Sequence, residues 1–344
     1  MPDPILSIKN LAVEFKTDDG IVHAVDDITY DVFAGETLGI VGESGSGKSV
    51  STMSILGLIP QPPGRIASGT AMFKGRDLLQ LKRKELQEFR GDEVAMIFQD
   101  PMTSLNPVLK VGFQLGEAIK THYPKEPDDT VKTRVIDLLR IVGVPNPDSR
   151  YDAYPHEFSG GMRQRAMIAM AIANSPSLLI ADEPSTALDV TIQAQVLEVL
   201  KDVQEATNAA TILITHDLGV VAEMCERVLV MYAGKIVESG DVYTIFRSPR
   251  HPYTIGLMDS LPKLTEDEEW LRPIPGAPPS LINRPSGCAF HPRCFQSQGR
   301  LQCREAVPAL HGVEGSEHLA ACHFSDELIG RMSKFSEPVA GGAV

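Results

Sequence analysis

The chain has 344 residues, with 32 Lys+Arg against 45 Asp+Glu, a formal charge of −13 with His neutral. Hydrophobic residues, at 43%, are enough to build a core and exclude a disordered chain, whereas the acidic balance argues against a nucleic-acid partner, which needs clustered Lys and Arg. The longest apolar run, residues 166–173, falls far short of the roughly 20 residues that cross a bilayer; residues 1–10 show no basic start or apolar stretch of a secretory signal, so cytoplasmic residence is expected.

Residues 6–41 alternate apolar and polar positions through LSIKNLAVEF and VHAVDDITYDVF and end in the short apolar run TLGIV. That pattern predicts antiparallel strands feeding a buried parallel one. A helix is predicted over 47–57, and further strands at TAMFKG, VAMIFQ, LLIAD and TILITH. Helical patterns near 108–122, 130–142, 161–174 and 191–206 separate several of these runs. Alternating strands and helices predict an α/β fold with a mainly parallel sheet. Seven of the 25 prolines lie between residues 262 and 292, a stretch that cannot hold long helices or central strands. A boundary is therefore expected near residue 260. It separates a first domain, 1–260, from a Pro/Cys-rich C-terminal domain, 261–330, and a disordered tail, 331–344.

Gly42-Glu43-Ser44-Gly45-Ser46-Gly47-Lys48-Ser49 fits the phosphate-loop pattern G-x-x-x-x-G-K-[ST], after a strand and before a helix. Glycines let successive N–H groups and the helix N-terminus wrap phosphate oxygens. Lys48 is placed to neutralise the β- and γ-phosphates, and the Ser49 hydroxyl to ligate Mg²⁺. Ser51, in the first turn of the helix, joins the expected nucleotide-contacting set. The strand LLIAD delivers Asp182 and Glu183 at its C-terminal end, where α/β sheets bind ligands. Asp182 can hold Mg²⁺, and Glu183 can orient and deprotonate an attacking water. Gln99 and His216 each follow a predicted buried strand, where Gln99 can coordinate Mg²⁺ and His216 can hydrogen-bond a γ-phosphate oxygen.

Phe158-Ser159-Gly160-Gly161-Met162-Arg163-Gln164-Arg165, upstream of LLIADE, resembles the signature loop of ATP-binding cassette (ABC) transporter ATPases, whose consensus begins LSGGQ. It departs from that consensus at Phe158 and Met162. The resemblance implies a P-loop NTPase of ABC type, with a mixed sheet core, an antiparallel β subdomain and a helical signature subdomain over about 100–165. It makes Gln99 the Q-loop residue, Ser185 to Asp189 the D-loop, His216 the switch histidine and Phe15 the aromatic that stacks on adenine. Ser159, Gly160 and Gly161 would contact the γ-phosphate held by a second cassette. The segments QDPMTSLNP at 99–107, HPYT at 251–254 and CAFHPRC at 288–294 narrow the resemblance to the dipeptide/oligopeptide importer branch, nearest its dipeptide members, with nickel, haem-precursor or opine importers as alternatives, or an iron–sulfur regulated ATP-binding module outside transport. The implied partners are a second ATPase subunit in a heterodimer, two transmembrane permease subunits and an external or periplasmic peptide-binding protein, at the cytoplasmic face of the inner membrane.

Cys288, Cys294, Cys303 and Cys322 offer four thiolates, the number that tetrahedral zinc or a cubane cluster requires. Their spacing matches neither a common zinc ribbon nor a ferredoxin run, which leaves the metal open. The family resemblance implies a [4Fe-4S] cluster, with Zn²⁺ as the alternative. Cys225 is expected to be a core residue.

Overall fold

A computed structural model describes residues 3–99, 104–185, 190–260, 273–313 and 317–328. Its strands are β1 (Leu6–Thr17), β2 (Gly20–Val32), β3 (Thr37–Val41), β4 (Gly64–Phe73), β5 (Arg76–Asp77), β6 (Val94–Ile97), β7 (Leu178–Asp182), β8 (Ala210–Thr215), β9 (Arg227–Tyr232), β10 (Lys235–Asp241), β11 (His311–Gly312) and β12 (Leu319–Ala320). The helices are α1 (Lys48–Ile55), α2 (Arg83–Phe89), α3 (Val111–His122), α4 (Asp128–Ile141), α5 (Pro147–Arg150), α6 (Gly160–Ala171), α7 (Val190–Thr207), α8 (Leu218–Met224), α9 (Val242–Arg247), α10 (Pro252–Asp259) and α11 (Gln302–Glu305).

The alternating N-terminal segment forms a four-stranded antiparallel sheet in the order β2-β1-β4-β5. The short apolar runs form the second sheet, ordered β11-β12-β10-β9-β3-β8-β7-β6. In it β9, β3, β8, β7 and β6 run parallel, and β10, β12 and β11 add antiparallel at one edge. The sheet is thus mixed, with a parallel centre. Every residue of β3, β7 and β8 is buried, which explains why these strands read as continuous apolar runs rather than alternations.

Helices α3, α4 and α6 pack through Leu115, Ile119, Val135, Leu139 and Ile168 into one core shared with β6 and β7. Asp128 and Asp129 occupy the first turn of α4, and Lys120 and His122 the last turn of α3, each matched to the helix dipole. Helix α1 stops at Ile55, two residues short of the predicted end, because Gly57 turns to φ +58°. The β9–β10 hairpin was not among the predicted strands. Both strands are buried almost throughout and lack alternation, and their turn is made by Ala233 and Gly234 at φ +48° and +82°, the backbone of a tight hairpin.

The expected separate Cys-rich C-terminal domain is not supported among the described residues. Strand β12 pairs with β10, and Phe290 lies 2% exposed in the same core as the helices, with Ile274, Leu281, Cys288 and Cys294 against it. So Pro-rich a segment lacks apolar residues for a core of its own and buries those it has on the main sheet. The expected tail, 331–344, lies outside the described residues. No helix among the described residues is long and apolar enough to cross a membrane.

Candidate active site

Strand β3 ends at the phosphate loop, and α1 begins at its lysine. Gly42 and Gly47 adopt φ +153° and +101°, and a Cβ on them would stand 2.2 Å from the Met231 carbonyl oxygen and 2.3 Å from that of Ala24. Only glycine lets the loop lie this close to β9 and β2. The Ser46 carbonyl accepts from the Gly234 N–H at 2.9 Å, so the β9–β10 turn also clamps the loop.

Around this loop lies a cleft of about 520 Å³ lined by residues 43–50 together with Gln99, Glu183 and His216. Lys48 Nζ donates to the carbonyls of Gly42 at 2.7 Å and Glu43 at 3.1 Å, which holds its ammonium against the loop. Burial lowers the Lys48 pKa, opposed by the carboxylates of Glu183, Asp182 and Glu43. The Ser49 hydroxyl donates to Asp182 Oδ1 at 2.8 Å. Burial raises the Asp182 pKa, while the Ser49 hydrogen bond works against that rise. A hydroxyl and a buried carboxylate sharing one hydrogen bond are a donor set suited to Mg²⁺.

Glu183 follows β7 with φ +46°, a backbone conformation that costs energy outside glycine and is found at functional sites. Its Oε2 accepts from Gln99 Nε2 at 3.1 Å and lies 3.5 Å from His216 Nδ1. Residues from the ends of β6, β7 and β8 therefore meet at one carboxylate beside the phosphate loop. Ser51 is buried, its hydroxyl donating within the helix to the Lys48 carbonyl at 2.6 Å, so it braces the loop rather than lining the cleft. Phe15 pairs with Gly64 on β4 and packs on the core beneath the antiparallel sheet, outside the cleft's lining.

Ser159 caps α6, its side chain accepting from the Met162 N–H at 3.3 Å. Ser159 and Gly160 are exposed, Gly160 has open space where a Cβ would stand, and neither lines the cleft of its own chain. Gly161 is buried against Ile192. Phe158, which replaces the consensus leucine, is 2% exposed, and Met162 packs on the same core, so both departures serve packing. Gln164, which the sequence reading left without a role, donates to the Pro184 carbonyl at 2.6 Å and ties α6 to the Asp182–Glu183 turn. Asp189 and the rest of the D-loop after Ser185 lie outside the described residues, as do residues 100–103 of the segment after Gln99.

Sequence reasoning also missed Arg293. Its guanidinium donates to both oxygens of Glu43, at 2.6 and 2.9 Å, and to the Pro275 carbonyl at 2.9 Å. The Glu43 N–H donates to Tyr253 Oη at 2.7 Å. Both partners stand in the segments HPYT and HPRC, which sequence alone flags only as motifs.

Cys288, Cys294, Cys303 and Cys322 line one small cavity of about 10 Å³ with His251, Phe290 and Phe324. The donor type suits a soft metal, but no group of three or more His, Cys, Asp or Glu among the described residues stands at metal-holding spacing. An assembled metal centre, expected from the sequence, is thus not supported as such. Burial pushes the Cys288 thiol up to about 11 and Cys322 up to about 12. Cys225 is buried at the end of α8 against Gly39, its thiol pushed up to about 12 by burial, which keeps it an inert core group.

Residues 25–186 match the family described as ABC transporter, and residues 237–303 match the oligopeptide/dipeptide transporter C-terminal region. The dipeptide transport ATP-binding protein DppD of Escherichia coli (strain K12) is 51% identical over 327 residues, 95% of this chain and 98% of that protein. The oligopeptide transport ATP-binding protein OppD of Bacillus subtilis (strain 168) is 56% identical over 287 residues, 83% of this chain and 80% of that one. A dimeric ATP-binding cassette in a post-hydrolysis state with ADP and Pi superimposes with a TM-score of 0.62 at 25% identity, covering 69% of this chain and 98% of that one. A phosphate loop and an Asp-Glu strand end meeting in one cleft, with these matches along the chain, make it a member of the ABC transporter family, the ATP-binding subunit of a dipeptide/oligopeptide importer.

Proposed function

We propose that this chain hydrolyses Mg-ATP with Glu183 as the base that orients and deprotonates water, to drive dipeptide uptake. The observation that carries the reading is the meeting of Gln99, Glu183 and His216 beside the phosphate loop. Lys48 and the loop N–H groups bind the phosphates, while Ser49, Asp182 and Gln99 hold Mg²⁺, which neutralises phosphate charge when bound. His216 donates to the γ-phosphate side of the cleft, and Glu183 takes the water's proton. Glu183→Gln should lower turnover by about 10²- to 10⁴-fold while retaining ATP; turnover near that of the wild type removes Glu183 from this role.

The exposed Ser159–Gly160 turn is open toward a second cassette, which supports a closed dimer in which each turn completes the partner's phosphate site. The second subunit is a related ATPase, and the pair works at the cytoplasmic face of the inner membrane on two permease subunits, with cargo brought by an external peptide-binding protein. The reading of dipeptide rather than longer peptide is supported by the reach of the DppD matches over 93 to 95% of the chain, against 83 to 85% for the OppD matches. Co-purification with the permeases and identification of the ligand on the external receptor tests that choice, and a receptor loaded with longer peptides would redirect it.

We also infer, from the four clustered thiols and the family resemblance, a thiolate-held metal group at Cys288, Cys294, Cys303 and Cys322, a [4Fe-4S] cluster ahead of Zn²⁺. Buried thiols with raised pKa values release their protons when a cation binds them. Anaerobic protein should be brown with four irons per chain, and colourless zinc-free protein ends the metal reading.

A further inference from the structure

Glu43 is an acid within a loop built to hold a polyanion. It lines the cleft itself, where an uncompensated carboxylate would repel the triphosphate. The counter-charge comes from far along the chain, from Arg293 with a side chain 6% exposed. That guanidinium grips both Glu43 oxygens, and its Nε is fixed on the Pro275 carbonyl. Beneath it Tyr232, Tyr253 and Phe290 form a ring cluster with centroids 4.6 to 5.3 Å apart, and Tyr253 Oη accepts from the Glu43 N–H. Helix α10 therefore holds this loop residue at its backbone while the C-terminal segment holds its side chain. Planar, bidentate pairing is the arrangement that Arg supplies and Lys does not.

We propose that Arg293 is a positioning residue for ATP binding: by neutralising and fixing Glu43, the C-terminal segment sets the affinity of the phosphate loop for nucleotide. The effect belongs to binding and leaves the chemical step, carried by Gln99, Glu183 and His216, largely untouched. Uniform loss of binding raises KM without lowering kcat.

The test uses the full chain with its metal content unchanged, assayed for ATP KM, kcat and binding of a fluorescent ATP analogue. Arg293→Gln should raise KM about 5- to 20-fold with kcat within about two-fold, and the rise should shrink as salt screens the unpaired, half-buried Glu43 charge. The double variant Arg293→Gln/Glu43→Gln should recover most of that loss, because no uncompensated charge remains. A purely structural role for Arg293 makes the double variant as weak as the single one and insensitive to salt, and that result overturns the proposal. Should Arg293→Gln fail to fold, Glu43→Gln alone decides: the unbalanced guanidinium should tighten ATP binding at low salt, and binding no tighter than the wild type overturns it.

Discussion

The Ser49 hydroxyl donates to Asp182 Oδ1 across 2.8 Å, joining the first turn of α1 to the end of β7 over 133 residues of sequence. Two side chains suited to the same cation hold each other until that cation arrives, so the pair is already spaced for it. Asp182→Asn keeps the hydrogen-bond acceptor and loses the charge. It should abolish Mg²⁺-dependent turnover while ATP binding without Mg²⁺ persists, and a magnesium titration like that of the wild type would count against the assignment.

The loop glycines should differ in their tolerance. At Gly47 a Cβ would lie 2.3 Å from the Ala24 carbonyl oxygen, a contact with backbone that cannot swing away. At Gly45, φ +77°, there is nothing within 4 Å. Gly47→Ala should lose detectable ATP binding, whereas Gly45→Ala should pay only backbone strain of about 1 to 3 kcal/mol and keep binding at reduced affinity. Equal losses in the two variants, measured by calorimetry, would show that the contact at Gly47 does not matter.

Ser159 acts within its own chain as a helix cap. Replacing it with Ala should cost about 1 kcal/mol of stability, a change of a few degrees in melting temperature. The proposed dimer predicts much more at the level of function: turnover down at least about ten-fold, with ATP binding by the single subunit intact. A variant with a lowered melting temperature and unchanged turnover would refute the trans contact.

How much of this site could be read from the sequence depended on distance along the chain. The phosphate loop is legible because its parts are eight consecutive residues whose spacing is the mechanism, and the buried strands are legible because both faces are covered. The Glu43–Arg293 pair is not, because a salt bridge between residues 250 apart leaves no local pattern. The β9–β10 hairpin escaped for a different reason: β10 buries Glu238 and Ser239, so it reads neither as an alternation nor as the unbroken apolar run that marks β3, β7 and β8. The C-terminal segment looked like a separate domain by composition, yet Phe290 and β12 tie it to the main core.

His251 gives the fold a pH dependence. It is 1% exposed, its Nδ1 accepts from the Tyr253 N–H at 3.1 Å, and burial pushes its pKa down to about 3 from an ordinary 6.5. The folded state therefore holds the imidazole neutral, and its contribution is complete above about pH 6.5 and drains away as pH falls toward 3. Between pH 6.5 and 5 the loss should be on the order of 1–2 kcal/mol. His251→Asn keeps an acceptor without a titrating ring, so its urea midpoint should vary less between pH 7 and 5 than that of the wild type; an equal variation would place the dependence elsewhere.

The thiol cavity and the phosphate loop meet through one short turn, in which the Arg293 N–H donates to the Phe290 carbonyl and the Cys294 N–H to that of His291. Cys294→Ser should therefore weaken ATP binding in the same direction as Arg293→Gln, alongside any loss of bound metal. Wild-type affinity in a variant that has lost its metal would separate the two regions.

Strand β3, which carries the phosphate loop at its end, lies between β8 and β9, and its Thr37 is paired with Thr211. During synthesis the ribosome releases the loop long before either flanking strand exists. The nucleotide pocket must therefore be among the last features to mature as the nascent polypeptide emerges, and chains arrested before the β9–β10 turn should be unable to retain ATP.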